Sequence, residues 1–164
     1  IIEQGNNSIL MPGLINSHIH LEFSSNKTHL KYGNFMDWLY SVIEHREVLV
    51  ENSTEKLIDN ELTNMLKNGT TTIGAISSHG FDLQSCAKSP LNVVYFTEVI
   101  GSKADMIDTL FTDFKAKLTT ALTHKNDNFI PAIAIHSPYS VHPFLIREVL
   151  NIAKENNLSV STHF

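Results

Sequence analysis

The segment Met11-Pro12-Gly13-Leu14-Ile15-Asn16-Ser17-His18-Ile19-His20 decides how the chain is read. It belongs to an apolar run over residues 9–19, broken once by Pro12-Gly13, that reads as a strand. Side chains at i and i+2 of a strand share a face. His18 and His20 therefore present two imidazoles side by side at the C-terminal end of that strand. Parallel α/β folds bind ligands and metals at this end. Two neutral imidazole nitrogens so placed can share one divalent cation at ~2.0–2.1 Å. A bare His-x-His fits a pair of hydrogen-bonded strand-end histidines equally well. The strand that precedes it gives the metal reading its weight.

Outward from this strand, element types alternate. Phe35, Trp38, Leu39, Val42 and Ile43 stand at helical spacing and predict a helix over 35–50. A second helix follows over 53–67, with Asn or Ser as its N-cap and Gly69 just past its end. Residues 70–76 are β-branched and read as a strand, and 81–88 as a short helix. A strand over 91–99, a long amphipathic helix over 103–124, a strand over 129–135 and a helix over 143–156 come next, and 158–164 opens a fifth strand. Strands separated by helices imply right-handed crossovers and a parallel sheet. The pattern fits an open doubly wound sheet or the first five strands of a TIM-type (β/α)8 barrel. No strand is followed by a phosphate-loop or dinucleotide glycine fingerprint, which weakens a nucleotide-binding open sheet. A complete barrel needs ~250 residues, and the chain has 164. It opens on Ile1 and closes on Ser159-Val160-Ser161-Thr162-His163-Phe164, as expected of a segment of a longer protein.

Composition narrows the function classes. The chain has 12 Lys+Arg against 17 Asp+Glu, a net charge of −5, with 42% hydrophobic and 18% charged residues. That is globular composition and excludes a wholly disordered chain. Mild acidity argues against nucleic acid or an anionic membrane as partner. No apolar run approaches the ~18–20 residues that span a bilayer, and no basic leader precedes an apolar stretch. The single cysteine, Cys86, allows no internal disulfide and fits a reducing cytoplasm. It is expected as a buried small hydrophobe.

The stretch Pro12-Gly13-Leu14-Ile15-Asn16-Ser17-His18-Ile19-His20 resembles the first-strand signature of the amidohydrolase superfamily of metal-dependent barrel hydrolases. Ile135-His136-Ser137-Pro138-Tyr139-Ser140-Val141, a helix, and then Val160-Ser161-Thr162-His163 are similar to the fourth- and fifth-strand region of its purine and triazine deaminase branch. The likeness runs over essentially the whole chain. It implies that residues 1–164 are the N-terminal part of a barrel domain, strands one to five. By the same resemblance His18, His20 and His163 are metal ligands. The remaining ligand, an Asp after strand eight, would lie beyond Phe164, with a strand-six His and a proton-shuttling Glu. The fourth strand ends in His136 rather than the lysine of two-metal members, which favours one divalent metal, Zn or Fe. Such a metal makes hydroxide available at neutral pH. The hydroxide would add to the amino-bearing carbon of an aromatic heterocycle, with His136 facing that substrate.

The segment over 21–46 looks like that of the aminofutalosine deaminases, which hydrolyse 6-amino-6-deoxyfutalosine in an alternative menaquinone pathway. Deaminases of S-adenosylhomocysteine, methylthioadenosine or guanine, and triazine chlorohydrolases, share the metal pattern. In several of them a carboxylate just before the tryptophan binds ribose. Here Met36 and Asp37 precede Trp38, so a ribose contact falls to Asp37 or elsewhere. Trp38 can serve as substrate platform or as core. Glu22 would share the inward face with the two imidazoles if the strand continued, and so could touch substrate, although a plain loop carboxylate fits as well. His79, in Ser77-Ser78-His79-Gly80, and Glu98 lie at the functional ends of strands two and three. His29, His45, His124 and His142 read as surface or capping residues. The expected partner is a small-molecule substrate; a homo-oligomer of the full-length protein stays open, as does a non-catalytic barrel piece.

Overall fold

The computed structural model describes residues 7–26 and 28–164; Ile1, on which the chain opens, and Lys27 lie outside the described residues. Strand β1 is Leu14–Ile19 and leads into a 3-10 turn, Leu21–Phe23. Helices α1 (Phe35–Asn52) and α2 (Glu55–Lys67) follow, then β2 (Thr70–Ser77), α3 (Leu83–Lys88) and β3 (Asn92–Val99). A second 3-10 turn, Ala104–Met106, opens α4 (Ile107–Thr123), which is followed by β4 (Phe129–Ile135), α5 (Pro143–Glu155) and β5 (Val160–Thr162).

Each strand pairs in parallel with the next one in sequence, in the order β1-β2-β3-β4-β5. A doubly wound sheet reverses its strand order at a switch point. A barrel winds in one direction. The unbroken order therefore decides for the barrel, and the five strands make a curled half-barrel with helical crossovers. β1 is shorter than the apolar run predicts. It starts after Pro12-Gly13, because proline has no N–H to give a ladder, and Ile9 and Leu10 are exposed.

Local chemistry accounts for the helix starts. The Asn34 side chain accepts from the backbone N–H of Met36 and Asp37 and caps α1. α2 is capped by Thr54, which accepts from Leu57, and not by the expected Asn or Ser. Ser53 is buried, its hydroxyl donating to the Leu49 carbonyl and accepting from Ser25. Pro143 opens α5, and the His142 side chain accepts from Phe144, as a capping role required. Two apolar clusters hold the helices to the sheet. Ile58, Leu62, Ile73, Val93 and Phe129 lie in one, with buried Cys86. Phe114, Leu118, Ile133, Leu145 and Val149 lie in the other. No helix among the described residues is long and apolar enough to cross a membrane.

β1 and β2 meet closely at Gly74, where an added Cβ would stand 2.3 Å from the Ser17 carbonyl oxygen. Backbone cannot yield as a side chain can. Gly74→Ala is expected to push β1 outward and cost about 1–3 kcal/mol. Urea denaturation checks this, and an unchanged midpoint would contradict the close approach.

Candidate metal centre

The C-terminal ends of β1 and β5 bring three imidazoles together. His18 Nε2 lies 3.1 Å from His20 Nε2 and 3.3 Å from His163 Nε2, although His18 and His163 are 145 positions apart. β5 reaches this place through its ladder with β4, and the backbone N–H of His163 donates to the His136 carbonyl at 3.0 Å. The same carbonyl lies 2.7 Å from His163 Nδ1. A carbonyl only accepts, so Nδ1 carries the proton and Nε2 keeps its lone pair for the cluster. Metal-binding histidines are oriented in this way by their outer partners.

Burial and neighbouring imidazoles favour the neutral form of His18 and His20. Burial, then the nearby His163, lowers the pKa of His18. Burial, followed by His18, His163 and His136, lowers His20 to about 4. At neutral pH these two rings are unprotonated, and the His18 Nε2 has at most one proton to offer two neighbouring nitrogens. At least one of the three nitrogens is then left without a hydrogen-bond partner, and a cation would engage its lone pair. Tetrahedral ligands at ~2.0–2.1 Å from zinc stand about 3.4 Å apart, close to the 3.1 and 3.3 Å seen here. The donor set fits one divalent metal.

His136 borders this cluster. Its ring centroid is 5.1 Å from that of His163, and its Nδ1 is 2.7 Å from Ser140 Oγ. Burial, then His163, lowers its pKa. Glu98 stands beside both: ligand atoms of Glu98, His136 and His163 lie within 4.8 Å of one another. Glu98 is buried, accepts from the Ser78 hydroxyl through Oε2, and leaves Oε1 without a partner.

Other residues picked from the sequence stand elsewhere. Glu22 does not share the face of the two imidazoles, because the strand ends and the chain coils into the 3-10 turn at Leu21. Its carboxylate is fully buried and accepts from Ser77, Ser78, His79 and Gly80, which corrects the expectation of a substrate contact. Asp37 is exposed on α1, and Trp38 is half-buried with its ring centroid 5.8 Å from that of Phe35. Among the described residues no hydrogen bond or ring contact links either to the imidazoles. His79 is exposed, its ring beside Phe81, with only its backbone engaged by Glu22.

Sequence reasoning missed a buried polar cluster beneath the site. Asp82 precedes α3 like an N-cap, yet its side chain makes no cap bond and turns inward. Ser77 Oγ is 2.6 Å from Asp82 Oδ1 and 3.0 Å from Glu22 Oε1, and Tyr95 Oη is 2.7 Å from Ser77 Oγ and 2.8 Å from Asp82 Oδ1. The two hydroxyl protons cannot serve all these contacts. A protonated Asp82 donating to Ser77, with Ser77 donating to Glu22 and Tyr95 to Asp82, serves three of the four, one more than two hydroxyls can. Burial, ahead of repulsion from Glu22, pushes Asp82 up to about 7.

That value lies above ~3.9 for an unfolded aspartate. The stabilisation is therefore intact below pH ~4 and is lost as pH rises through ~7. The urea midpoint should fall between about pH 5 and pH 8, and Asp82→Asn should flatten the fall. An unchanged slope in the variant would contradict a neutral Asp82.

With this geometry in place, the comparisons with known proteins are specific. The amidohydrolase family matches residues 9–164. An aminodeoxyfutalosine deaminase of Nitratiruptor sp. is 49% identical over 99% of this chain and 40% of its own length. The crystal structure of Helicobacter pylori aminofutalosine deaminase in complex with methylthio-coformycin superposes with a TM-score of 0.83 at 35% identity, covering 93% of this chain and 37% of that one. An adenosine deaminase of Xanthomonas campestris with bound zinc shares the fold, with a TM-score of 0.73 at 20% identity, over 93% of this chain and 36% of its own. The chain thus spans about 40% of the length of the curated relatives it matches.

Proposed function

Because the chain belongs to the amidohydrolase family, we propose that it carries three metal ligands of a hydrolytic deaminase acting on adenosine-like substrates, 6-amino-6-deoxyfutalosine foremost. The observation that carries the reading is the convergence of His18, His20 and His163 nitrogens at the C-terminal mouth of the half-barrel. The name and 49% identity of the Nitratiruptor relative support the substrate. A coformycin-type ligand in the Helicobacter structure supports an adenosine-like ring.

His18, His20 and His163 would hold one divalent metal, zinc or iron; imidazole suits both. Bound there, it would lower the pKa of water toward ~7 and supply hydroxide at neutral pH. The chain's own residues do the rest of the local work. The His136 carbonyl fixes the tautomer of His163. The His136 imidazole, neutral and braced by Ser140, offers a hydrogen bond to the heterocycle. Cys86, buried and unpaired, is in keeping with a cytoplasmic enzyme.

Ammonia release by the protein expressed from its complete reading frame tests the substrate. The kcat/KM for 6-amino-6-deoxyfutalosine should exceed those for S-adenosylhomocysteine, methylthioadenosine and guanine by about tenfold or more, ~1.4 kcal/mol. A tenfold preference for any of the others, or for a chlorotriazine, would overturn the substrate and leave the metal centre standing.

A further inference from the structure

β1 pairs irregularly along the stretch that leads to His18 and His20. It pairs only with β2 among the described residues, and its register shifts between Leu14 and Ile15 and again between Asn16 and Ile19. His20 also lacks the brace that His163 has. Its Nδ1 is buried without a partner, whereas His163 Nδ1 is bound to a carbonyl. Beyond the contact of its Nε2 with His18 and the edge of its ring on Phe23, centroids 6.2 Å apart, His20 is placed through its backbone.

Two residues on, the chain is tied down. Leu21 is 1% exposed and packs in the core cluster beside Ile73 and Ala75, and Glu22 is 0% exposed. Glu22 Oε1 accepts from the backbone N–H of His79 at 2.8 Å and of Gly80 at 2.7 Å, and from the Ser77 hydroxyl at 3.0 Å. Oε2 accepts from the Ser78 N–H at 2.8 Å. One carboxylate thus gathers four donors, one from the last residue of β2 and three from the loop that follows it, a strong class of hydrogen bond. That loop extends the tie, since the Ser78 hydroxyl donates to Glu98, the neighbour of His136 and His163.

We propose that Glu22 is a positioning residue of the metal centre: by clamping the loop after β2 to the turn after β1, it sets where His20 stands. Through Ser78 and Glu98 the same loop is joined to the side of the site formed by β3, β4 and β5. The inference rests on reading the three imidazoles as metal ligands.

The test is Co²⁺ binding by the metal-free protein expressed from its complete reading frame, with a chelator in competition and the visible d–d absorption recorded. Outer partners of metal ligands are worth about 10–100-fold in affinity. Glu22→Gln replaces one acceptor oxygen by a donor facing N–H groups, and should weaken Co²⁺ by that factor and alter the spectrum. Val149→Ala, which empties part of the other core cluster, to which Leu21 does not belong, should lower the melting temperature and leave both readings unchanged. If Glu22→Gln does not fold, Gly80→Ala serves. Gly80 has φ +89, and a Cβ there would meet Lys117 Cδ at 3.3 Å, so the loop N–H groups shift away from Glu22. It should weaken Co²⁺ severalfold. Wild-type affinity and spectrum in Glu22→Gln, or in Gly80→Ala where that variant decides, overturns the proposal alone. An equal loss in Val149→Ala overturns it too. Failure of the unaltered protein to take up Co²⁺ removes the metal reading along with it.

Discussion

Replacing His18 and His20 together by alanine is expected to leave less than about a tenth of the metal bound and to slow ammonia release by about 10³-fold or more, the scale of losing a central electrostatic group. Both side chains sit at the mouth of the half-barrel and neither belongs to the two core clusters, so the fold should survive. The pair supplies two of the three converging nitrogens. His163 alone cannot restore a site that needs several ligands. Elemental analysis beside a turnover assay checks both effects. A double variant with full metal and full turnover would contradict the assignment.

His136→Ala should separate substrate handling from metal holding. The group that orients His163 is the backbone carbonyl of residue 136, which the substitution keeps. The imidazole is what is lost, along with its contact to Ser140. Metal content should stay near that of the unaltered protein while kcat/KM falls about 10- to 100-fold, the worth of one strong hydrogen bond at ~1.5–3 kcal/mol. Loss of metal in parallel with activity would show that His136 serves the metal centre directly.

Strands and helices were legible where their signals are local. The β-branched run before Gly74 and the apolar spacing of Phe35, Trp38 and Val42 needed no partner to be read. Strand order was not legible, because it depends on which edges pair; the missing glycine fingerprints weakened a nucleotide-binding open sheet, but residues alone did not decide between an open sheet and the barrel. His18 and His20 followed from strand parity. His163 came only through resemblance, since nothing local ties position 163 to position 18. The same parity failed at Glu22, where the chain coils at Leu21 and turns the carboxylate inward. Ser77, Asp82 and Tyr95 escaped notice for the opposite reason. Each is ordinary in its own stretch, and only the packing of β3 against β2 makes them a buried network.

The most direct test of the metal centre is removal and return of the metal in the protein expressed from its complete reading frame. Ammonia release from 6-amino-6-deoxyfutalosine would be followed before chelation, after it, and after adding back zinc or iron, with metal counted at each step. Turnover should fall with the metal, by about 10³-fold or more, and return as about one ion per chain is restored. Undiminished turnover by protein holding less than about a tenth of an ion per chain would contradict a metal-dependent deaminase built on these three histidines.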